Sequence, residues 1–287
     1  MAPPYNSCWK FAFVGQTMAA MVMLKKVWLT CAIALPCGLV SLGAGPLPLT
    51  QVHAHNDYEH LHPLFDALDH GFCSVEADIH LLGGNLLVAH DRSQTKAERT
   101  LQAVYLEPLR ERVKINGGRV YPNGPEFTLL IDVKGSWQTT YPVLRQVLRG
   151  YAEMLTTFHD GKTQTNAVLA IITGDRSKDM FRGESVRYAA LDGELQDLNS
   201  NVPAELIPWI SGNWSTTFKW SGLGTIPLKE RIKLQDIVAK AHQHGRRVRF
   251  WGAPDQPMFW REILADGVDL INTDDLDGAQ KFLLQKN

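Results

Sequence analysis

Short β-type runs alternate with longer amphipathic segments from Leu49 to the end of the chain. The β-type runs that are candidates for strands of one sheet cover residues 49–55, 73–80, 127–134, 167–173, 186–191, 206–211, 247–251 and 268–273. Between most of them, apolar residues recur at helical spacing, at 62–71, 101–113, 141–158, 229–244, 258–266 and 275–284. A further short extended segment, 85–90, follows the turn at Gly83 and Gly84.

This order of elements predicts an α/β protein built as a closed TIM-type (β/α)8 barrel. The barrel would occupy residues 46–287 as a single domain. A doubly wound open sheet is the alternative. It is disfavoured because no glycine-rich phosphate loop follows the first predicted strand.

Residues 1–45 differ from the rest of the chain. They contain Lys10, Lys25 and Lys26 but no acidic residue, and an apolar run at 27–44 follows the lysine pair. A basic start, an apolar centre and a small-residue end are typical of a signal peptide, so we expect a secreted, periplasmic or cell-envelope protein. The apolar run is also just long enough to span a bilayer, and an uncleaved membrane anchor is therefore the alternative.

The overall charge argues against general nucleic-acid binding. The 29 basic and 30 acidic residues nearly balance, and no basic block suggests a stripe of phosphate contacts. With 45% hydrophobic residues, the composition is that of an ordinary globular protein.

Polar residues fall where several of the predicted strands end. They are His55 and Asn56 after the first strand, Glu76 and Asp78 in the second, Asp132 and Lys134 in the third, and Trp251 at the end of the seventh. Barrel enzymes carry their chemistry at this end of the strands. Glu76 and Asp78 point to the same side of their strand, because strand side chains alternate with a period of two. Two neighbouring carboxylates repel each other, and a bound cation is the usual remedy.

Several short motifs together resemble one known superfamily. They are HAHNDY (53–58), SVEADI (74–79), LLVAHD (86–91), LLIDVKG (129–135), LDG (191–193), RFWGAPD (249–255) and GVDLINTDDL (267–276). Their order resembles the phosphatidylinositol-specific phospholipase C and glycerophosphodiester phosphodiesterase superfamily, and most closely its altered-inheritance-of-mitochondria-type phosphodiesterases. The matches extend from Val52 to Leu276, so the resemblance covers nearly all of the predicted barrel.

The resemblance implies metal-dependent hydrolysis of a phosphoric diester on a TIM-type barrel. By position, the catalytic acid–base pair would be His55 and His90, and the metal ligands would be Asn56, Glu76, Asp78 and Asp132. Asn56 stands where the phospholipase C branch has a metal-binding Asn, whereas the glycerophosphodiesterase branch has Arg there. The candidates for contacts with the substrate are Lys134, Trp251 and Tyr58.

The chemistry of these residues fits the implied reaction. Carboxylate and amide oxygens suit Ca²⁺ or Mg²⁺ better than Zn²⁺. A cation helps because a phosphodiester is negatively charged and repels nucleophiles. One histidine would take a proton from the attacking hydroxyl or water, and the other would protonate the leaving oxygen. We expect a small-molecule or lipid phosphodiester as substrate, and contact with a membrane surface where that diester is a phospholipid.

Two other functions remain open on the sequence. A metal-dependent amidohydrolase or a polymerase-and-histidinol-type phosphoesterase is suggested by His53 and His55 after the first strand, but later strand ends offer no further histidine ligands. A non-catalytic ligand-binding barrel is the other alternative. Within the leading hypothesis, His80 is the rival of His90, because it lies in line with Glu76 and Asp78.

Overall fold

The computed structural model describes residues 45–285. Within that range the strands are, in chain order, β1 (Val52–Ala54), β2 (Ser74–Leu82), β3 (Asn85–Val88), β4 (Phe127–Val133), β5 (Thr157–His159), β6 (Lys162–Gln164), β7 (Val168–Gly174), β8 (Val186–Arg187), β9 (Ala190–Glu194), β10 (Trp209–Asn213), β11 (Arg247–Trp251) and β12 (Ile271–Thr273). The α-helices of the same range are α1 (Phe65–Asp69), α2 (Glu107–Ile115), α3 (Trp137–Arg149), α4 (Trp214–Thr217), α5 (Leu228–Gln243), α6 (Pro257–Ala265) and α7 (Leu276–Gln285).

Eight parallel strands form a barrel in the order β11-β10-β9-β7-β4-β2-β1-β12, with β3 attached to β2. A parallel bridge between Arg249 and Leu270 joins the two ends of this order and closes the ring. The predicted (β/α)8 barrel is therefore confirmed. β4 and β7 pair along their whole lengths, and both are almost entirely buried because the barrel interior covers one face and packed elements cover the other.

The interior of the barrel changes from apolar to polar along the strand direction. Near the start of the strands lies an apolar cluster that includes Leu130, Ile171, Ala190, Trp209 and Leu270. Two positions further along the chain from these residues come Asp132, Thr173, Asp192, Ser211 and Asn272. Because side chains alternate with period two, each polar residue follows an apolar one on the same inner face. The barrel thus has an apolar floor and a polar layer at the carboxyl ends of its strands.

The predicted helix 141–158 is wrong in its second half. Helix α3 ends at Arg149 with Gly150 as its C-cap, and Thr157–His159 forms β5, which pairs with β6 and β8 in a separate three-stranded sheet. Asp160 (φ 50) and Gly161 (φ 70) make the two-residue turn between β5 and β6. An Asp-Gly pair in this left-handed conformation is a strong hairpin signal, and it outweighs the helical spacing of the residues before it.

Two further predicted strands are shifted along the chain. The segment 186–191 spans two elements, since β8 belongs to the small sheet and the barrel strand β9 begins only at Ala190. The predicted strand 206–211 is observed as β10 at Trp209–Asn213. The helix expected at 101–113 is a π-helical segment, Gln102–Leu106, that continues into α2.

The predicted signal peptide or anchor, residues 1–45, lies outside the described residues except for its last one. Within residues 45–285, no helix combines the length and the apolarity needed to cross a bilayer.

Candidate active site

A cavity of about 690 Å³ opens at the carboxyl ends of the barrel strands. Of the residues predicted for the site, those on its wall are His55, Asn56, Glu76, His90, Asp132, Lys134 and Trp251. The cavity is also lined by residues from later strands that the sequence analysis did not single out, among them Asp192 and Arg249. Asp78 and Tyr58 lie behind this wall.

Three carboxylates meet at the base of the cavity. Asp78 of β2 and Asp132 of β4 are register partners, and Glu76 is two positions earlier on the same face of β2. One oxygen from each of the three lies within 4.8 Å of the others. Asp78 Oδ1 and Asp132 Oδ1 are buried without any hydrogen-bond partner. Two unpartnered anionic oxygens in a buried acidic cluster are the arrangement that a hard divalent cation stabilises.

A glycine on the neighbouring strand makes room for this cluster. A β-carbon on Gly174 would lie 2.1 Å from Asp132 Oδ1 and 2.6 Å from the backbone oxygen of Val133. Gly174 also has a φ of +75°, which side chains rarely adopt. The position therefore requires glycine for two independent reasons.

The three carboxylates differ in proton affinity. Burial, together with the charges of Glu76 and Asp132, raises the pKa of Asp78 to about 6, against the opposing effect of Lys134. Burial would also raise the pKa of Glu76, but the hydrogen bond with His53 and the charge of Arg249 outweigh it and lower the pKa to about 2. The pKa of Asp132 is raised, chiefly by burial. The cluster thus holds its negative charge most firmly at Glu76, whose pKa is lowered, whereas the pKa values of Asp78 and Asp132 are raised.

Lys134 lies between two of the carboxylates. Its Nζ is 2.9 Å from Asp78 Oδ2 and 2.9 Å from Asp132 Oδ2. Burial lowers the pKa of Lys134, but the two carboxylates outweigh burial and the net shift is upward. The ammonium is therefore charged, and it faces the cavity where an anionic substrate would enter.

His55 is held by an acidic residue from the other end of the chain. Its Nδ1 lies 2.9 Å from Asp274 Oδ1, and Asn56 Nδ2 donates to the same oxygen at 3.4 Å. Burial lowers the pKa of His55, but the hydrogen bond to Asp274 and the charge of Glu76 raise it further than burial lowers it. When Nδ1–H is donated to Asp274, Nε2 is left free to accept a proton.

His90 stands on the loop after β3, and its side chain is half exposed. Its Nδ1 lies 2.9 Å from the Tyr58 hydroxyl and 3.3 Å from Asp78 Oδ2. The rival candidate His80 is buried, and its Nε2 donates to the backbone oxygen of His90 at 3.2 Å. His80 therefore supports the loop that carries His90 and does not line the cavity.

Tyr58 is placed behind the cavity wall, where it contacts site residues and is only 3% exposed. Its hydroxyl lies 2.6 Å from Asn56 Oδ1, 2.7 Å from Asp78 Oδ2 and 2.9 Å from His90 Nδ1. Burial and the charge of Asp78 raise the pKa of the phenol, so it acts as a neutral hydrogen-bonding group. Asn56 has a left-handed backbone (φ 48°, ψ 31°), a conformation that asparagine tolerates better than most residues. The turn places the Asn56 side chain against the Tyr58 hydroxyl, which in turn contacts Asp78.

Arg249 and Asp192 form a second polar group inside the barrel. The Arg249 guanidinium is buried and lies 3.0 Å from Asn272 Oδ1, 3.3 Å from Glu76 Oε2 and 3.5 Å from Asp192 Oδ2. Asp192 also accepts hydrogen bonds from Ser211 and Thr173. The sequence offered one signal that could have identified Arg249 as a site residue. Arg249 lies two positions before Trp251 on the same predicted strand, so both side chains point to the same face.

His53 and Trp251 occupy opposite environments. His53 is fully buried, with Nδ1 2.7 Å from Ser74 Oγ and Nε2 3.3 Å from Glu76 Oε2, and burial lowers its pKa to about 4. Both of its ring nitrogens are therefore engaged. Trp251 is 44% exposed and stands at the rim of the cavity.

Comparison with known proteins places these features in a family context. The AIM6-like phosphodiesterase domain family matches residues 45–190. The Altered inheritance of mitochondria protein 6 of Eremothecium gossypii is 32% identical over 270 residues, which cover 82% of this chain and 69% of that protein. A homolog of that protein in Arthroderma benhamiae is 29% identical over 276 residues, covering 85% and 86%. A crystal structure of a glycerophosphodiester phosphodiesterase from Parabacteroides distasonis aligns with a TM-score of 0.49 and 17% identity, over 84% of this chain and 99% of that one.

Proposed function

Because the chain belongs to the AIM6-like phosphodiesterase domain family, we propose that it is a metal-dependent phosphoric diester hydrolase. One observation carries the proposal beyond the family: two buried, unpartnered carboxylate oxygens lie in a three-carboxylate cluster, and two of its members, Glu76 and Asp132, line a cavity that also presents two histidines. Such a cavity joins a place for a hard cation with a potential base and a potential acid.

The residues fit Ca²⁺ or Mg²⁺. Glu76, Asp78 and Asp132 would hold the ion, and Asn56 would add an amide oxygen. When bound, the cation would neutralise charge on the phosphoryl oxygens. In residues 45–285, this is the one group of at least three Asp, Glu, His or Cys side chains spaced to hold an ion, and it contains no histidine. That composition, and the engagement of both His53 nitrogens, favour the diesterase over a histidine-ligated amidohydrolase or phosphoesterase.

The two histidines divide the proton transfers. His55 has Nδ1 held by Asp274, so its Nε2 takes the proton from the attacking hydroxyl or water. His90 has Nδ1 3.3 Å from Asp78 Oδ2, and it gives a proton to the leaving oxygen. Each transfer contributes roughly 10²–10⁴-fold. Where the substrate has a hydroxyl next to the phosphate, internal attack to a cyclic phosphate is the favoured route.

We place a glycerophosphodiester or a phospholipid headgroup in the cavity. Lys134 supplies a positive charge for the phosphate, and Trp251 supplies an aromatic face at the rim. The sequence of residues 1–45 leads us to propose further that the protein is secreted or resides in the cell envelope.

The test is hydrolysis of a diester panel with and without EDTA. The panel contains glycerophosphocholine, glycerophosphoinositol, phosphatidylinositol, a lysophospholipid and bis-nitrophenyl phosphate. We expect EDTA to abolish turnover and added Ca²⁺ or Mg²⁺ to restore it. We also expect His55→Ala and His90→Ala each to lower kcat by about 10²–10⁴-fold.

His242→Ala is the matched control for His55→Ala. His242 Nε2 pairs with Asp269 Oδ2 at 2.8 Å, the same kind of His–Asp pair as in the cavity, but it is not part of the cavity wall. Its removal should leave kcat unchanged. Turnover that resists EDTA, or that survives in both cavity histidine variants, would refute the proposed metal-dependent mechanism with two histidines. Absence of turnover on the whole panel in the presence of Ca²⁺ or Mg²⁺ would refute the proposed function and favour a non-catalytic binding barrel.

A further inference from the structure

Beside the cavity, the segment between α4 and the third turn of α5 exposes large aliphatic and basic side chains together. The members of this basic–aliphatic surface are Lys219, Leu223, Leu228, Lys229, Ile232 and Lys233. The aliphatic side chains are well exposed, with 75% for Leu223, 72% for Leu228 and 57% for Ile232. A cluster of exposed aliphatic side chains is unusual on a soluble monomer and marks an interaction site.

These residues form one continuous surface. On α5, Leu228 and Ile232 are four residues apart and therefore neighbours on the helix. The preceding loop is tied to the same helix, because Glu230 accepts hydrogen bonds from the backbone nitrogens of Lys219 and Trp220. Gly222 packs against Gln256 and Phe259 at the start of α6, which holds the loop in place.

The surface borders the cavity directly. Lys233 Nζ donates to the backbone oxygen of Thr217 at 2.7 Å and lies 5.2 Å from the centre of the Phe218 ring. Thr216 and Thr217 are themselves part of the cavity wall. A partner bound to the basic–aliphatic surface would therefore lie next to the mouth of the active site.

The charge of the surface selects the partner. Between residues 217 and 233, Glu230 is the one acidic residue, and its carboxylate is occupied by the two backbone nitrogens. Arg231 is paired with Glu262 and Asp266 and faces α6. The exposed side chains that remain on this surface are lysines interspersed with aliphatic residues. Basic side chains that surround aliphatic ones are suited to an anionic lipid surface, where lysines meet headgroups and aliphatic groups enter the interface.

We propose that the basic–aliphatic surface docks the protein on an anionic phospholipid bilayer. Docking here would present lipid headgroups to the cavity as substrates, and this consequence rests on the diesterase function proposed above. The docking itself does not depend on that function.

The test is hydrogen exchange of the full chain with vesicles of phosphatidylcholine alone or mixed with phosphatidylserine. We expect the mixed vesicles to slow amide exchange at residues 219–233. Leu228→Ser combined with Lys229→Gln should remove that protection and lower the partition coefficient by roughly 10–100-fold, of which about fivefold comes from the lysine. Added salt should weaken binding of the unaltered protein.

Lys114→Gln combined with Ile115→Ser is the matched control. This pair is also exposed on a helix surface, with Ile115 79% exposed, but it lies at the end of α2 near the start of β7, at the opposite end of the barrel. The control should keep the protection at 219–233. Since every variant contains residues 1–45, any membrane affinity of that segment is common to all of them.

Three results would overturn docking. The first is no vesicle-dependent protection at 219–233, and the second is an equal loss of that protection in the control variant. The third is protection that depends on protein concentration without vesicles, which would assign the surface to a second copy of the chain. Hydrolysis of the water-soluble bis-nitrophenyl phosphate should be unchanged in both double variants. Protection without any diesterase activity would leave docking intact and refute the proposed function alone.

Discussion

Replacing Tyr58 with phenylalanine removes one hydroxyl from the centre of the site while leaving the ring in its packed position. That hydroxyl contacts Asn56 Oδ1, Asp78 Oδ2 and His90 Nδ1 at 2.6–2.9 Å. It thereby links two proposed metal ligands to one proposed catalytic histidine. Because the pKa of the phenol is raised, it acts as a neutral donor throughout the working pH range.

The size of the effect follows from the partners. A buried hydrogen bond to a charged group contributes about 1.5–3 kcal/mol to folding, and no large cavity results from removing a single oxygen. Groups that orient metal ligands typically change metal affinity or activity by about 10–100-fold. We therefore expect Tyr58→Phe to lower the free energy of unfolding by about 2 kcal/mol and kcat by about 10–100-fold, with a higher metal concentration needed for half-maximal activity.

Tyr121→Phe provides the comparison. Tyr121 is equally buried, and its hydroxyl lies 2.8 Å from the Phe72 oxygen and 3.1 Å from the Leu68 oxygen, away from the cavity. It should lose about 1 kcal/mol of stability and no activity. The two variants are compared by measuring kcat as a function of metal concentration and by measuring the free energy of unfolding with a denaturant. If Tyr58→Phe matches Tyr121→Phe in kcat and in metal dependence, the hydroxyl does not position the site and the reasoning is wrong.

Three other perturbations have defined outcomes. Gly174→Ala should reduce Ca²⁺ or Mg²⁺ affinity measured by calorimetry, since its β-carbon would displace Asp132 Oδ1; affinity equal to that of the unaltered protein would contradict the crowding at that position. Arg249→Met should lower the free energy of unfolding by about 3–5 kcal/mol, because Glu76 would lose its buried counter-charge, and a loss below 1 kcal/mol would count against this. Cys73 should resist iodoacetamide at pH 8–9 in the folded protein, because burial raises the pKa of its thiol to about 12. The stability that comes from keeping this thiol protonated should be lost only as the pH rises from about 9 through 12. Rapid labelling of Cys73 in the native protein, detected by peptide mapping, would refute this.

The sequence by itself determined the barrel and the ends of strands from which its site is built. Alternation with period two put Glu76 and Asp78 on one face, and the apolar run at 167–173 marked a strand buried on both sides. These inferences succeed because they depend on neighbours within one element. The helix expected at 141–158 failed where a local turn at Asp160 and Gly161 competes with helical spacing, and only the pairing of β5 with β6 and β8 decides between them.

The tertiary structure alone decided which distant groups set the charge of the site. Asp274 meets His55 across 219 positions of the chain, and Arg249 meets Glu76 across 173. Pairing of β1 with β12 brings His55 to Asp274, and closure of the ring between β11 and β12 brings Arg249 towards Glu76. No pattern within a single segment encodes either pair. The basic–aliphatic surface was also decided by the tertiary structure. Its residues have no distinguishing pattern in the sequence, and only the packing of the helix and the loop shows which side chains are exposed. Local periodicity can be determined from the sequence, whereas the proximity of charged groups depends on how separate elements pack together in the folded barrel.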